Sequence, residues 1–368
     1  MSTFRAINFS AGPSKVPEEV LREAQAELLN YGGTGISVME LSHRSSTFEK
    51  IISDTEKDLR DVLSIPDSYS VLFMHGGGTG QFASIPLNLL QNKSDVADYL
   101  VTGSWSDKAK KEADKYITAR EVVPKRKNYQ NVPDPSEWNL SPNAKYLYYC
   151  DNETIYGVEF PNIPTLNNGA YLVADMSSNF LTRQFDVTKY GVIYAAVQKN
   201  VGIAGLAIVI IRNDLISDPM TITPSILNFK LMKENKSLYN TPPCFQIYIT
   251  GLFLKWIKKN GGLKAMEELS RKKSSLIYDV IDNSSGFYSS PVERSCRSRV
   301  TIPFRAGGPE GNPEMEAKFL KEAEALNMVQ LKGHRSVGGI RASLYNAMTL
   351  EETKVFEKFM RDFAVRNA

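Results

Sequence analysis

Between residues 70 and 212 the chain alternates short, wholly apolar runs with stretches of helical period. The runs are VLFM (71–74), YLVTG (99–103), YLYYC (146–150), YLVADM (171–176), VIYAAV (192–197) and LAIVII (206–211). They are continuously apolar rather than alternating, as strands covered on both faces are. Helical stretches such as GQFASIPLNLL (80–90) and SWSDKAKKEADKY (104–116) fall between them. The pattern predicts an α/β fold: a large domain with a mostly parallel sheet flanked by helices.

Beyond residue 240 the pattern changes. A long helix is expected after NTPP, with Thr241 as its N-cap and Pro242 as its first helical residue. A polar helix (263–283) then leads to a strand SRVTIPFR (298–305), a helix (313–327), a strand GGIRASLY (338–345) and a last helix (350–366). Helices beside a small antiparallel sheet predict a small C-terminal α+β domain. The expected division is an N-terminal segment 1–15, a large domain 16–264 and a small domain 265–368.

Composition narrows the function classes. Hydrophobic residues make up 42% and charged residues 23%, ordinary for a soluble globular chain. A net charge of +3 is too small to argue for nucleic acid, and clusters such as SRKKSS (270–275) read as solvated faces. The longest apolar run, AGLAIVII (204–211), is far short of a membrane span. Cys150, Cys244 and Cys296 have neither a disulfide framework nor a metal-ligand spacing, so no metal is expected and the compartment is read as reducing. The opening MSTFRAINFSAGPSKVP lacks the features of a signal or transit peptide. A cytoplasmic location follows as an expectation.

Ligands of open α/β sheets bind beyond the carboxyl ends of the strands, and four strand ends here carry unusual residues. HGGGTGQF (75–82) places three glycines at a helix start, an anion cradle or simply a tight turn. Trp105 follows YLVTG, as a core residue or as a stacking platform for a ring. Asp175 closes YLVAD, as a helix cap or as a partner for a buried cationic nitrogen. Lys199 follows VIYAAVQ, as an outward surface lysine or as an amine whose burial lowers its pKa and makes it nucleophilic. Taken together, a phosphate cradle, a stacking ring, an acid and an amine are what pyridoxal phosphate requires.

Two of the three histidines occur in one repeated tripeptide, SHRS (42–45) and GHRS (333–336), and Arg341 follows in VGGIRAS. Guanidinium forks match carboxylate and phosphate geometry. Two His-Arg pairs and a further arginine suit a substrate with about three negative charges, such as a phosphate monoester of an amino acid; separate structural ion pairs are the other reading.

With these residues the chain resembles the phosphoserine aminotransferases, in the class V group of fold-type-I pyridoxal-phosphate enzymes. The resemblance runs nearly end to end, through NFSAGPSKVP, GISVMELSHRS, GGGTGQF, VTGSWS, NET, DMSSNF, QKNVG, LYNTPPCF and LKGHRSVGGIRASLYNA. It implies Lys199 as the Schiff-base lysine, Asp175 as the partner of the pyridine nitrogen and Trp105 as the stacking ring. Thr154 would meet the ring hydroxyl, and Gly78, Thr79 and Gln198 would help hold the cofactor. Asn240 and Thr241 would reach the cofactor phosphate of the neighbouring subunit. His43 and Arg44 would likewise cross over and bind substrate with His334, Arg335 and Arg341, the last taking the α-carboxylate. The resemblance therefore implies a homodimer with shared active sites. Some members carry arginine where this chain has Thr79, which leaves phosphate recognition more dependent on the His-Arg pairs.

The reaction implied is reversible transamination of 3-phosphohydroxypyruvate with L-glutamate, giving O-phospho-L-serine and 2-oxoglutarate in serine biosynthesis. Two alternatives stand beside it. Another class V activity is one, though alanine–glyoxylate exchange calls for no paired His-Arg grips, and no cysteine lies in an obvious active-site loop for desulfuration. A non-catalytic phosphate-binding α/β module is the other.

Overall fold

The structure is a computed structural model and describes residues 5–368. The central sheet contains β1 (Tyr69–Met74), β2 (Val96–Leu100), β3 (Thr118–Glu121), β4 (Tyr146–Cys150), β5 (Tyr171–Asp175), β6 (Val192–Ala196) and β7 (Ala207–Arg212). Their order is β1-β7-β6-β5-β4-β2-β3. β7 runs antiparallel to both of its neighbours, and all the other pairings are parallel. The mostly parallel sheet expected from the apolar runs is therefore present. Every residue of β1, β4 and β6 is buried, which is why those segments could not alternate.

The flanking helices are α1 (Glu18–Glu27), α2 (Ser46–Leu63), α3 (Gly77–Leu89), α4 (Ser104–Ala113), α5 (Phe229–Glu234) and α6 (Cys244–Lys259). α1 and α2 are not anticipated above, although Ser45 caps α2 by accepting from the Phe48 amide at 3.2 Å. Side chains from α2 and α6, among them Ile52, Leu59, Phe253 and Ile257, join one face of the sheet in a single apolar cluster. A second cluster, with Tyr99, Tyr146, Tyr148 and Tyr194, covers the other face. Burying side chains of this size contributes roughly 1.5–3 kcal/mol each.

The C-terminal part holds α7 (Gly262–Asp282), α8 (Pro313–Ala325), α9 (Leu350–Asn367) and an antiparallel sheet of β8 (Tyr288–Ser289), β9 (Thr301–Ala306) and β10 (Ile340–Ser343). Its core of Ile277, Phe304, Phe319, Phe356 and Phe363 also takes in Phe9 from the N-terminal segment. α7 bridges the two parts: Met266 packs with the large sheet, Ile277 and Ile281 with the small one.

Several boundaries differ from expectation for local reasons. α6 begins at Cys244 with Pro243 at its N-cap position and no side-chain cap, so Thr241 is not the N-cap and Pro242 is not helical. A residue preceding proline is driven to extended backbone, which keeps Pro242 out of the helix. The second strand ends at Leu100 rather than Gly103, because the Thr102 and Gly103 amides donate to Ser106 Oγ, not to a ladder. β10 begins at Ile340, after Gly338 and Gly339, both at φ +69°.

Candidate active site

The carboxyl ends of the parallel strands open onto one cavity of about 280 Å³. Gly78, Thr79, Trp105, Thr154, Asp175, Gln198, Lys199, His334 and Arg341 all line it. His43, Arg44, Asn240, Thr241 and Arg335 do not.

Lys199 follows β6, and its ammonium has no hydrogen-bond or ion-pair partner among the described residues; it lies over the Trp105 ring, 5.4 Å from Nζ to the centroid. Burial pushes its pKa below the ordinary lysine value, opposed by Asp175, Cys150 and Glu153 and assisted by Arg341. The N-terminal segment straps over it. The Ser14 amide donates to the Gln198 carbonyl at 2.9 Å, and the Ser14 hydroxyl donates to the Lys199 carbonyl. Gly12, at φ +129°, passes so close that a β-carbon would meet Lys199 Cγ at 3.2 Å.

Asp175 is the last residue of β5 and is buried. One carboxylate oxygen accepts from the Ser177 amide at 2.8 Å, the other from the Tyr194 hydroxyl at 3.0 Å. Asp175 and Lys199 therefore face a single cavity from adjacent strands.

Trp105 stands in the first turn of α4. Its amide donates to Glu153 Oε2 at 3.0 Å, while the Ser106 amide and hydroxyl donate to Oε1 at 2.8 and 2.7 Å. Glu153 is fully buried; burial pushes its carboxyl above its ordinary value, against these hydrogen bonds, which favour the anion. The indole Nε1 donates to Thr154 Oγ1 at 2.8 Å, leaving the threonine proton free for a ligand oxygen. α3 starts at Gly77 behind Gly76, at φ +81°, with no side chain capping it, so its first amides remain available to an anion.

Arg341 comes from β10 and donates to the Thr154 carbonyl at 3.1 Å. Burial lowers its pKa from the usual guanidinium value. His334 bonds Ser336 through Nδ1 at 2.7 Å, and burial together with Arg341 and Arg335 lowers its pKa. The Arg335 and Arg44 side chains are exposed and carry no hydrogen bond among the described residues. His43 Nε2 and Asn240 Oδ1 are buried without partners among the described residues.

Three contributors escaped the sequence reading. Cys150 lines the cavity from the end of β4, in register with Asp175; the shared strand-end position was the available signal. Burial pushes its thiol well above the ordinary value. Glu153 and Tyr194 carried no local signal, because each acts on a residue distant in sequence.

Pyridoxal phosphate fits this donor set: an amine, an acid, a stacking ring, an uncapped glycine-rich helix start, and a Gln198 Oε1 buried without a partner among the described residues. The fold and site define a pyridoxal-phosphate-dependent aminotransferase. The chain belongs to the class-V aminotransferase family, whose model matches residues 6–356. It is 57% identical to the phosphoserine aminotransferase of Drosophila melanogaster, over 98% of this chain and 99% of that one. Among solved structures it is similar to phosphoserine aminotransferase from Bacillus circulans subsp. alkalophilus, with TM-score 0.95, 42% identity and 99% of both chains covered. The PLP-bound phosphoserine aminotransferase of Trichomonas vaginalis superposes with TM-score 0.92 at 39% identity, covering 97% of this chain and 100% of that one.

Proposed function

We propose that this chain is a phosphoserine aminotransferase, exchanging the amino group between L-glutamate and 3-phosphohydroxypyruvate to give O-phospho-L-serine and 2-oxoglutarate in serine biosynthesis. The observation that carries the reading is the unpaired Lys199 amine and the Asp175 carboxylate opening onto one cavity beside Trp105. Pyridoxal phosphate, when bound, supplies the aldehyde that takes the amino group and a ring that accepts electrons. Lys199 holds the cofactor and then moves the proton at the substrate α-carbon, a task suited to an amine whose pKa burial has lowered. Asp175 keeps the ring nitrogen protonated. Trp105 supplies a flat face, Thr154 a hydroxyl for the ring oxygen, and Gly78, Thr79 and Gln198 the phosphate side of the cradle. Arg341 grips the α-carboxylate, and His334 and Arg335 contribute positive charge for the phosphate.

We assign His43, Arg44, Asn240 and Thr241 to the neighbouring subunit's site in a homodimer. None lines the cavity of its own chain. The stretch before His43 exposes Leu29 (84%) and Met39 (57%), and Tyr239 beside Asn240 is also exposed. Apolar surface next to unpartnered polar atoms is what a second copy would cover. The unpaired cysteines support a reducing, cytoplasmic setting, and among the described residues no helix is long and apolar enough to cross a membrane. We propose the division 1–15, 16–264 and 265–368: the separate core around Phe304 and Phe319 supports a small C-terminal unit, while Phe9 joins that core and α7 crosses the 264/265 boundary. Desulfuration is disfavoured, since the one cavity cysteine, Cys150, is fixed in a strand with its thiol held protonated by burial.

The test is a coupled assay offering O-phosphoserine, 4-phosphohydroxy-threonine and alanine as competing amino donors. Phosphoserine turnover that Lys199→Ala reduces to a trace is expected. Alanine as the preferred donor, or substantial rate in Lys199→Ala, would overturn the reading.

A further inference from the structure

The Asp175 carboxylate is held by a hydrogen-bonded chain that leaves the cavity and runs into the core. Tyr194 in β6 donates to Asp175 Oδ2 at 3.0 Å, and the Tyr194 and Tyr148 hydroxyls are 2.7 Å apart. Tyr148 lies in β4, so the two phenols meet across β5, the strand that ends in Asp175. All three residues are buried.

The direction of this chain is fixed by counting protons. Tyr194 has a single hydroxyl proton, and it is given to Asp175 Oδ2. Tyr148 must then donate to the Tyr194 oxygen. Burial, with Asp175 adding to it, keeps both phenols well above their ordinary pKa, so both stay neutral donors at working pH. Donors aligned head to tail polarise one another, and a hydroxyl donating to a carboxylate favours its charged form. With the Ser177 amide on Oδ1, each carboxylate oxygen has one protein donor and acceptor capacity left over, and Asp175 lines the cavity.

We propose that Tyr194, backed by Tyr148, is a positioning residue that holds the Asp175 carboxylate by a hydrogen bond and keeps it aimed at the cofactor's ring nitrogen. This rests on the assignment of Asp175 given above. Removing the Tyr194 hydroxyl keeps the ring in place, takes one donor from Asp175 and leaves the Tyr148 hydroxyl without its acceptor, so cofactor affinity, not stability, is the quantity that reads the effect on Asp175.

The experiment titrates apoprotein with pyridoxal phosphate, by fluorescence and by the pH midpoint of the bound cofactor's absorption change, for Tyr194→Phe, Tyr148→Phe, Tyr146→Phe and Asp175→Ala. Tyr146 is the control: its hydroxyl pairs with that of Tyr99 at 2.8 Å on the same sheet face, with no contact to Asp175. Tyr194→Phe is expected to raise the cofactor dissociation constant about tenfold or more, as loss of a hydrogen bond to a charged group does, and to shift the midpoint. Tyr148→Phe should move both in the same direction by less, and Tyr146→Phe neither. Wild-type affinity in Tyr194→Phe, with affinity lost in Asp175→Ala, would overturn the proposal and spare the Asp175 assignment. Equal weakening by all three phenylalanines would reduce the chain to packing. Undiminished affinity in Asp175→Ala would remove both.

Discussion

A β-carbon placed on Gly103 would lie 2.3 Å from the carboxyl carbon of Glu153. Gly103 has extended backbone, φ 177°, which any residue adopts, so glycine is required here by space alone. The Glu153 carboxylate fills that space and fastens the first turn of α4, and with it Trp105, to the strand end that carries Thr154. One missing side chain thus lets a buried carboxylate fix the helical turn that carries the indole.

Gly103→Ala should therefore harm the site more than a surface substitution of the same size. Overpacking of this kind costs about 1–3 kcal/mol, and displaced Glu153 would release Trp105. Thermal unfolding is expected to show that loss, with weaker cofactor retention in equilibrium dialysis. A variant with wild-type stability and cofactor affinity would show that Glu153 does not position Trp105.

The arginines should separate by substrate. Arg341→Lys replaces a fork with a point charge and should raise KM for L-glutamate about tenfold, the scale of one charge-assisted hydrogen bond. Arg335→Ala should raise KM for phosphoserine more than for glutamate, because the phosphate carries the larger charge. Steady-state kinetics with both donors decides it; equal effects of Arg335→Ala on the two would count against its phosphate role.

Lys273 on α7, within the SRKKSS cluster expected to be a solvated face, is instead buried, and its ammonium donates to the carbonyls of Leu344, Tyr345 and Met348 at 3.0, 2.7 and 2.9 Å. It ties α7 to the turn whose Tyr345 hydroxyl donates to the Ala11 carbonyl at 2.8 Å, at the cavity rim. Burial lowers its pKa from 10.5 to about 7. Between those values the unfolded chain binds the proton and the folded chain does not. Stability relative to Lys273→Met should thus rise with pH above about 7 by about 1.4 kcal/mol per unit, and stay level below it. Denaturant unfolding of both proteins from pH 6 to 9 measures the difference. A flat difference would mean that the three carbonyls keep the lysine charged throughout.

The chain's own order of residues determined six of the seven central strands, because a strand covered on both faces must be apolar throughout, and it placed Asp175 and Lys199 at strand ends; β3, a partly exposed edge strand of sequence TARE, carried no such run. It also determined the glycine run at the start of α3. The sheet order was not readable: β7 inserts antiparallel between β1 and β6, with Ala207 opposite Met74 and Ala196, and nothing local encodes pairings between residues that far apart. The same holds for the supports of the site. Tyr194 reads as one more buried aromatic and Glu153 as one more acid until folding brings them within hydrogen-bond reach of Asp175 and Trp105. Local sequence specifies which side chains can do chemistry, because periodicity and backbone preference act over a few residues. Which groups hold those side chains in place was decided by tertiary contact alone, since hydrogen bonds act over about 3 Å whatever the distance along the chain.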